Sequence, residues 1–119
     1  LPLCSLRLMN DARWPWLILV PQVSDATELH DLGKADQAAL WREMVMAGRA
    51  LKAVTGCEKI NTGALGNIVR QLHVHVVARN PGDPAWPGPV WGQGPRVPYA
   101  TSDIEALSKT IRSQFGAQK

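Results

Sequence analysis

The spacing of apolar residues near the start of the chain predicts a β-hairpin. Residues 3–9 alternate loosely between apolar and polar side chains, and residues 16–20 form a short run of strand-forming apolar side chains that Pro21 ends. The intervening residues 10–13 have the composition of a turn. We therefore expect two antiparallel strands joined by this turn.

A helical repeat follows a polar stretch, residues 22–33, which contains the first histidine, His30. Apolar side chains then recur at steps of four and three, which places them on one face of a helix: Leu40, Met44, Ala47, Leu51 and Val54. Gly56 comes just after this repeat, where a glycine commonly ends a helix. The pattern predicts an amphipathic helix capped by Gly56.

The next segments are predicted to add strands and a large loop. Residues 57–61 and residues 68–79 have strand-like composition, and a glycine-containing turn, residues 62–67, separates them. Residues 80–98 hold six of the nine prolines together with Trp86 and Trp91. Since tryptophan is rare in true linkers, we expect this loop to be ordered.

The last segment predicts a second helix. Ser102 and Glu105 have the spacing of a capping box, and Ile104, Leu107, Ile111 and Phe115 keep helical spacing up to Gly116. We therefore predict a C-terminal helix over residues 102–115. The whole chain, residues 1–119, is expected to be one α+β domain with a mainly antiparallel sheet of about five strands and two helices.

Composition and charge exclude several classes of protein. The 119 residues include 13 Lys and Arg against 10 Asp and Glu, and the basic residues do not form the stripe typical of a dedicated nucleic-acid binder. Cys4 and Cys57 lack CxxC spacing, which argues against a structural zinc module and suits a reducing cytosol. The longest apolar run, residues 16–20, is far shorter than a membrane span, and no signal-peptide pattern occurs. We expect a cytoplasmic protein.

The candidate chemistry lies in the predicted strand 68–79. Because side chains alternate in a strand, Gln71, His73 and His75 are predicted to share one polar face, opposite Leu72 and Val74 on the core side. Two imidazoles at this spacing can grip one phosphoryl group or one metal ion. A metal site would need a third ligand such as His30. A half-exposed strand without chemistry is the plainer alternative.

Residues 66–79 resemble the signature of the histidine triad (HIT) superfamily of nucleotide hydrolases and transferases. That signature is His-x-His-x-His followed by apolar residues and preceded by a glycine-containing phosphate turn. The hairpin and residues 28–32 are also similar, so the resemblance covers most of residues 3–80 and is closest to a bacterial branch. Two positions depart from the pattern: Gln71 replaces the first histidine, and Ile68 stands where a hydroxyl residue is common.

The resemblance implies a catalytic set. By position, His73 corresponds to the nucleophile that attacks the α-phosphate and forms a nucleotidyl-histidine intermediate. His75 corresponds to the third histidine, which contacts the phosphoryl oxygens. His30 corresponds to an accessory histidine near the first triad position, where Gln71 is able to hydrogen-bond it without carrying a proton. The implied substrate is a nucleoside phosphate, a phosphoramidate or a dinucleoside polyphosphate.

The resemblance also implies ligand contacts and partners. Asn10 matches a position that contacts the ribose, Asn61 matches one that contacts phosphate, and the backbone of Gly66, Asn67 and Val69 would face the phosphate. It implies a homodimer, no cofactor and no metal. Two alternatives remain open: a nucleotide-binding module with little or no turnover, and a metal-dependent hydrolase built on the three histidines.

Overall fold

The computed structural model describes residues 1–118, which form four strands, two α-helices and one short 3₁₀ turn. In chain order these are β1 (Cys4–Leu8), β2 (Trp16–Pro21), the 3₁₀ turn (Leu29–Asp31), α1 (Lys34–Thr55), β3 (Lys59–Gly63), β4 (Val74–Arg79) and α2 (Thr101–Ala117). The strands form one antiparallel sheet in the order β1-β2-β4-β3. The α+β class, the hairpin and both helices are confirmed, with four strands in the sheet rather than about five.

Both helices cover one face of the sheet. Apolar side chains of β2, β4 and the helices form a common core there: Leu17, Leu19, Val74, Val76, Leu40, Ala47, Leu51, Ile111 and Phe115. Gly56 caps α1 in the left-handed conformation, with φ of 66°, and its N–H donates to the Lys52 carbonyl. The predicted apolar face and glycine cap of α1 are therefore confirmed.

No helix within residues 1–118 is long and apolar enough to cross a membrane.

The opposite face is covered by residues of the loop 80–98, which packs against the sheet. Its Val90 is buried against Trp14, Trp16 and Val77. Arg79, at the end of β4, anchors the loop: its guanidinium donates to the Asp83 carboxylate, to Asn61 Oδ1 and to the Gly88 carbonyl. Within β4 the face that alternation marked as polar is consequently buried, as is every other residue of the strand.

The predicted strand over residues 68–79 is wrong in its first half. β4 begins only at Val74. Its pairing with β2 starts at Val74, which lies opposite Leu19, and β3 ends at Gly63, which lies opposite His75. Residues 64–73 therefore have no neighbouring strand and form a loop. Ile68 within this loop is 94% exposed.

The predicted capping box at the start of α2 is also wrong. The residue that precedes the helix is Ala100, and the N–H groups of Asp103 and Ile104 donate to its carbonyl. The N–H of the preceding Tyr99 donates to Asn10 Oδ1 at 2.9 Å, which fixes the chain just before the helix. The observed capping residue thus lies two residues before the predicted cap Ser102, and the helix lacks a side-chain cap.

Candidate active site

The two histidines of the signature lie side by side where β4 begins. His75 is the second residue of β4 and His73 directly precedes the strand. Their ring centroids are 5.0 Å apart, with an angle of 72° between the planes. Since β4 is an inner strand between β2 and β3, the sheet fixes the backbone of His75 on both sides.

The ring of His73 is oriented by its own backbone segment. Its Nδ1 lies 2.7 Å from the carbonyl oxygen of Gln71. A carbonyl oxygen only accepts hydrogen bonds, so the ring must donate and Nδ1 carries the proton. The neutral ring then has its lone pair on Nε2, which is the form a nucleophile requires.

The ring of His75 is enclosed by tryptophans. It is 6% exposed and lies edge-to-face with Trp16 and with Trp91, at centroid distances of 5.6 and 5.4 Å. The indole Nε1–H of Trp16 donates to His75 Nδ1 at 2.9 Å. Burial, and secondarily the neighbouring His73, lowers the pKa of His75 to about 4. His75 is therefore neutral at neutral pH.

His73 and His30 line one cavity of about 200 Å³. Its walls come from the segment around the 3₁₀ turn and from the loop before β4: Thr27, Glu28, Leu29, Ala64, Leu65, Gly66 and Leu72. Gly66 has φ of +75°, a conformation that side chains disfavour, so glycine suits this turn. The structure thus brings three of the predicted residues, His30, Gly66 and His73, to one cavity.

The side chain of Gln71 does not join this group. It lines a different cavity with Pro21 and Gln22, and its amide nitrogen lies 3.5 Å from the Pro21 carbonyl oxygen. The expected hydrogen bond between Gln71 and His30 is not formed among residues 1–118. The physical reason is that Gln71 lies in the loop before β4, where strand alternation no longer fixes which way a side chain points.

The other residues predicted to contact the ligand are either engaged within the fold or exposed in a loop. Asn61 lies on the same sheet face as His75, because Gly63, two residues further along β3, pairs with His75. Its Oδ1, however, accepts a hydrogen bond from Arg79 at 2.8 Å. The Oδ1 of Asn10 is likewise occupied by the N–H of Tyr99. Asn67 and Val69 are exposed in the loop before β4.

Sequence reasoning missed the tryptophans that surround His75. The sequence predicts only a strand at Trp16 and a loop at Trp91, yet both rings contact the histidine. A Cβ on Gly63 would lie 3.1 Å from the Trp91 ring, so this glycine allows the ring to approach the sheet. Five tryptophans in 119 residues were the one available signal.

The metal-dependent alternative gains no support from the geometry. Within the part of the chain that the structure describes, no three His, Cys, Asp or Glu side chains are grouped so that they would hold a metal ion. His30, His73 and His75 therefore do not form the three-ligand site that this alternative requires.

Comparison with known proteins supplies the family. The model of the HIT domain matches residues 1–82, so the chain belongs to the HIT family. Three crystal structures of bacterial histidine triad proteins are similar to it. The protein from Sinorhizobium meliloti 1021 is 55% identical with a TM-score of 0.94, over 96% of this chain and 84% of that chain. The protein from Bradyrhizobium japonicum is 43% identical with a TM-score of 0.94, over 97% and 86%. The protein from Marinobacter aquaeolei VT8 is 42% identical with a TM-score of 0.93, over 97% and 84%.

A search of curated proteins gave no significant match. The family model and the similar structures nevertheless agree with the resemblance carried by residues 66–79, which is confirmed.

Proposed function

We propose that this protein is a HIT-type nucleotide hydrolase or nucleotidyl transferase that acts at the α-phosphate of a nucleoside phosphate, a phosphoramidate or a dinucleoside polyphosphate. Membership of the HIT family supports a nucleotide-binding or hydrolase-type function. The observation that carries the proposal is the contact between His73 Nδ1 and the Gln71 carbonyl oxygen. This contact leaves Nε2 as a free nucleophile beside the cavity shared with His30.

The proposed reaction has two displacements at phosphorus. In the first, the lone pair of His73 Nε2 forms a bond to the α-phosphorus, and the bond to the leaving group breaks with its electron pair going to that group, which takes up a proton from solvent. In the second, water or another acceptor attacks the same phosphorus and releases its proton to solvent, and the P–N bond breaks with its electron pair returning to His73 Nε2. Neutral His75 contacts the phosphoryl oxygens and stabilises the charge that develops there.

The remaining residues of the proposed site bind substrate. Asn10 and Asn61 each use their Oδ1 within the fold, so each retains its amide NH₂ group as the donor for a ribose hydroxyl or a phosphate oxygen. His30 lines the cavity beside His73, and Gly66, Asn67 and Val69 present their backbone in the preceding loop.

A second candidate function is a nucleotide-binding module with little turnover. It is favoured by Gln71 in place of the first histidine of the triad, because the Gln71 side chain is turned toward Pro21 and supplies no group to His73 or His30. Both candidates predict nucleotide binding and differ in whether chemistry follows.

The test is a turnover assay with an adenosine phosphoramidate, run with and without a chelator. We expect chelator-resistant release of adenosine monophosphate, and a loss of several powers of ten in kcat/KM for His73→Ala with the fold retained. Binding without turnover would select the module. Turnover that the chelator abolishes, or that His73→Ala retains, would contradict the proposed mechanism.

The proposal also includes a homodimer in a reducing, cytoplasmic compartment. Trp41 and Val45 extend the apolar surface of α1 into solvent, and a second subunit would cover them. Cys4 and Cys57 are both buried as free thiols. Burial and the Glu43 carboxylate raise the pKa of the Cys4 thiol to about 12, which keeps it unreactive.

A further inference from the structure

We propose that Trp16 is a positioning residue that fixes the tautomer of His75, so that its proton lies on Nε2 and is available to a phosphoryl oxygen. This inference rests on the proposed function for its purpose, although the tautomer itself is a property of the resting protein. It assigns a role to a residue that the sequence marked only as part of a strand.

The chemistry of the contact between Trp16 and His75 determines which atom donates. The indole N–H of Trp16 is a donor with no acceptor atom, and it lies 2.9 Å from His75 Nδ1. His75 Nδ1 must therefore accept, and a neutral imidazole that accepts at Nδ1 carries its proton on Nε2. The Nε2–H of His75 points away from the Trp16 nitrogen and is not used in the hydrogen bond between the two residues.

The donor, Trp16, is held rigidly. Trp16 lies in β2, where it pairs with Val77, and the next residue on the same face, Ile18, pairs with His75. Its own side chain is 6% exposed and is held edge-to-face by Trp14 and Trp91, at centroid distances of 6.3 and 6.2 Å. A donor fixed by strand pairing and by ring packing on both sides orients its acceptor more firmly than a residue in a mobile loop.

The two histidines differ in which ring nitrogen carries the proton. His73 holds its proton on Nδ1 through the Gln71 carbonyl, whereas His75 holds its proton on Nε2 through Trp16. The adjacent rings thus have opposite tautomers. The Nε2 of His73 carries a lone pair and the Nε2 of His75 carries a proton. In the proposed reaction the first attacks phosphorus and the second donates to the oxygens of the same phosphoryl group.

The surroundings of His75 oppose a second proton on its ring. A proton on Nδ1 would face the Trp16 N–H directly, and the other ring neighbour, Trp91, is uncharged. The strand partners are Ile18 on β2 and Gly63 on β3, and the titratable neighbour is His73. Removal of the Trp16 N–H should therefore make protonation of His75 easier.

The direct test uses NMR of the labelled wild-type protein without any ligand. We expect the nitrogen shifts of His75 to show a protonated Nε2 and an unprotonated Nδ1 at neutral pH. A scalar coupling across the hydrogen bond should join Trp16 Nε1 and His75 Nδ1. A protonated Nδ1, or the absence of this coupling, overturns the proposal.

The matched variants are Trp16→Phe and Trp91→Phe. Both replace a ring that lies edge-to-face with His75, but the Trp91 Nε1 has no hydrogen-bond partner in the described chain. We expect Trp16→Phe to mix the two tautomers of His75 and to raise its pKa, and Trp91→Phe to leave Nδ1 unprotonated. Equal effects of the two variants overturn the role of Trp16. If Trp16→Phe does not fold, the coupling in the wild-type protein decides.

Kinetics then separate this inference from the proposed function. We expect Trp16→Phe to lower kcat about tenfold with little change in KM, because the displaced N–H acts mainly on charge that develops in the transition state. An unchanged kcat in a variant with mixed tautomers overturns the positioning role. A wild-type protein with the expected tautomer and no turnover refutes the proposed function and, with it, the purpose assigned to Trp16.

Discussion

At the scale of single residues, the two histidines differ in what their ring nitrogens contact. His73 contacts a backbone carbonyl, which every residue at position 71 supplies, whereas His75 contacts an indole that only tryptophan supplies. The replacement of the first triad histidine by Gln71 therefore leaves in place the contact that orients His73, the proposed nucleophile. A substitution of Trp16 removes the indole N–H that donates to His75 Nδ1.

This difference predicts a small effect of Gln71→Ala. The variant keeps the carbonyl that orients His73 and loses only an amide near Pro21, so kcat/KM should fall by less than about tenfold, against several powers of ten for His73→Ala. Gln22→Ala, which removes an amide from the same cavity, is the matched control. A loss in Gln71→Ala as large as that in His73→Ala would mean that the amide takes part in catalysis.

The lowered pKa of His75 predicts how stability depends on pH. Between pH 6.5 and pH 4 the unfolded chain binds a proton at this residue that the folded protein does not. The stability contributed by neutral His75 is therefore present above pH 6.5 and is lost as the pH falls toward 4. The loss is at most about 3 kcal/mol.

The variant His75→Asn isolates this contribution, because asparagine offers an acceptor to Trp16 and does not titrate. Urea unfolding of both proteins across this pH range should show their difference in unfolding free energy shrinking as the solution becomes more acid. A difference that stays constant from neutral to acid pH would mean that His75 titrates normally in the folded protein.

At the scale of the elements, the start of α2 offers a test of the observed helix boundary. Ala100 has φ of −60° and ψ of 144°, which suit a capping residue, but its side chain has no acceptor. Ala100→Ser should raise the free energy of unfolding by about 1 kcal/mol. Ser102→Ala should change it by less than about 0.5 kcal/mol, since Ser102 already lies inside the helix. Both changes are measured by thermal unfolding. A larger effect of Ser102→Ala than of Ala100→Ser would mean that Ser102 caps the helix, as the sequence predicted.

The elements show how far periodicity alone reaches. Residues of α1 and of the hairpin were predictable because each buries one face, and the step between buried positions differs between helix and strand. The start of β4 was not predictable, because it depends on where β2 and β3 stop pairing, and apolar residues such as Ile68 and Val69 give the same local pattern in a loop.

The site was predictable to a similar extent. The signature located His73 and His75, and the loop of residues 80–98 was expected to be ordered. The burial of His75 depends on Trp91, which is brought to β4 from outside the signature, and on Trp16, which reaches it through pairing between strands distant in sequence. Contacts of this kind are not encoded in any local spacing.

At the scale of the whole molecule, the sheet separates an apolar core under two helices from the aromatic layer around His75. Outside this body, Trp41 on α1 is 67% exposed, and Val45 lies one turn further along the same helix. Large apolar side chains exposed together favour association with another protein surface.

The proposed homodimer predicts that Trp41→Glu yields a monomer. A charge placed in an apolar interface loses its hydration without gaining a partner, so the subunits should separate in analytical ultracentrifugation at micromolar concentration. Val97→Glu places the same charge at an exposed apolar position in the loop of residues 80–98 and should leave the mass unchanged. A monomeric wild-type protein, or a dimeric Trp41→Glu, would refute an interface at this surface.

We expect His73 to form a covalent bond to the α-phosphorus during turnover, and trapping that intermediate tests this directly. The protein is mixed with an adenosine phosphoramidate and quenched in alkaline denaturant, because the P–N bond is labile to acid, and its peptides are then mapped by mass spectrometry. We predict one adenylyl group, assigned to His73 by fragmentation of the peptide that it shares with His75, and none in His73→Ala. Turnover without any adduct, or an adduct located on His30 or His75, would contradict the account.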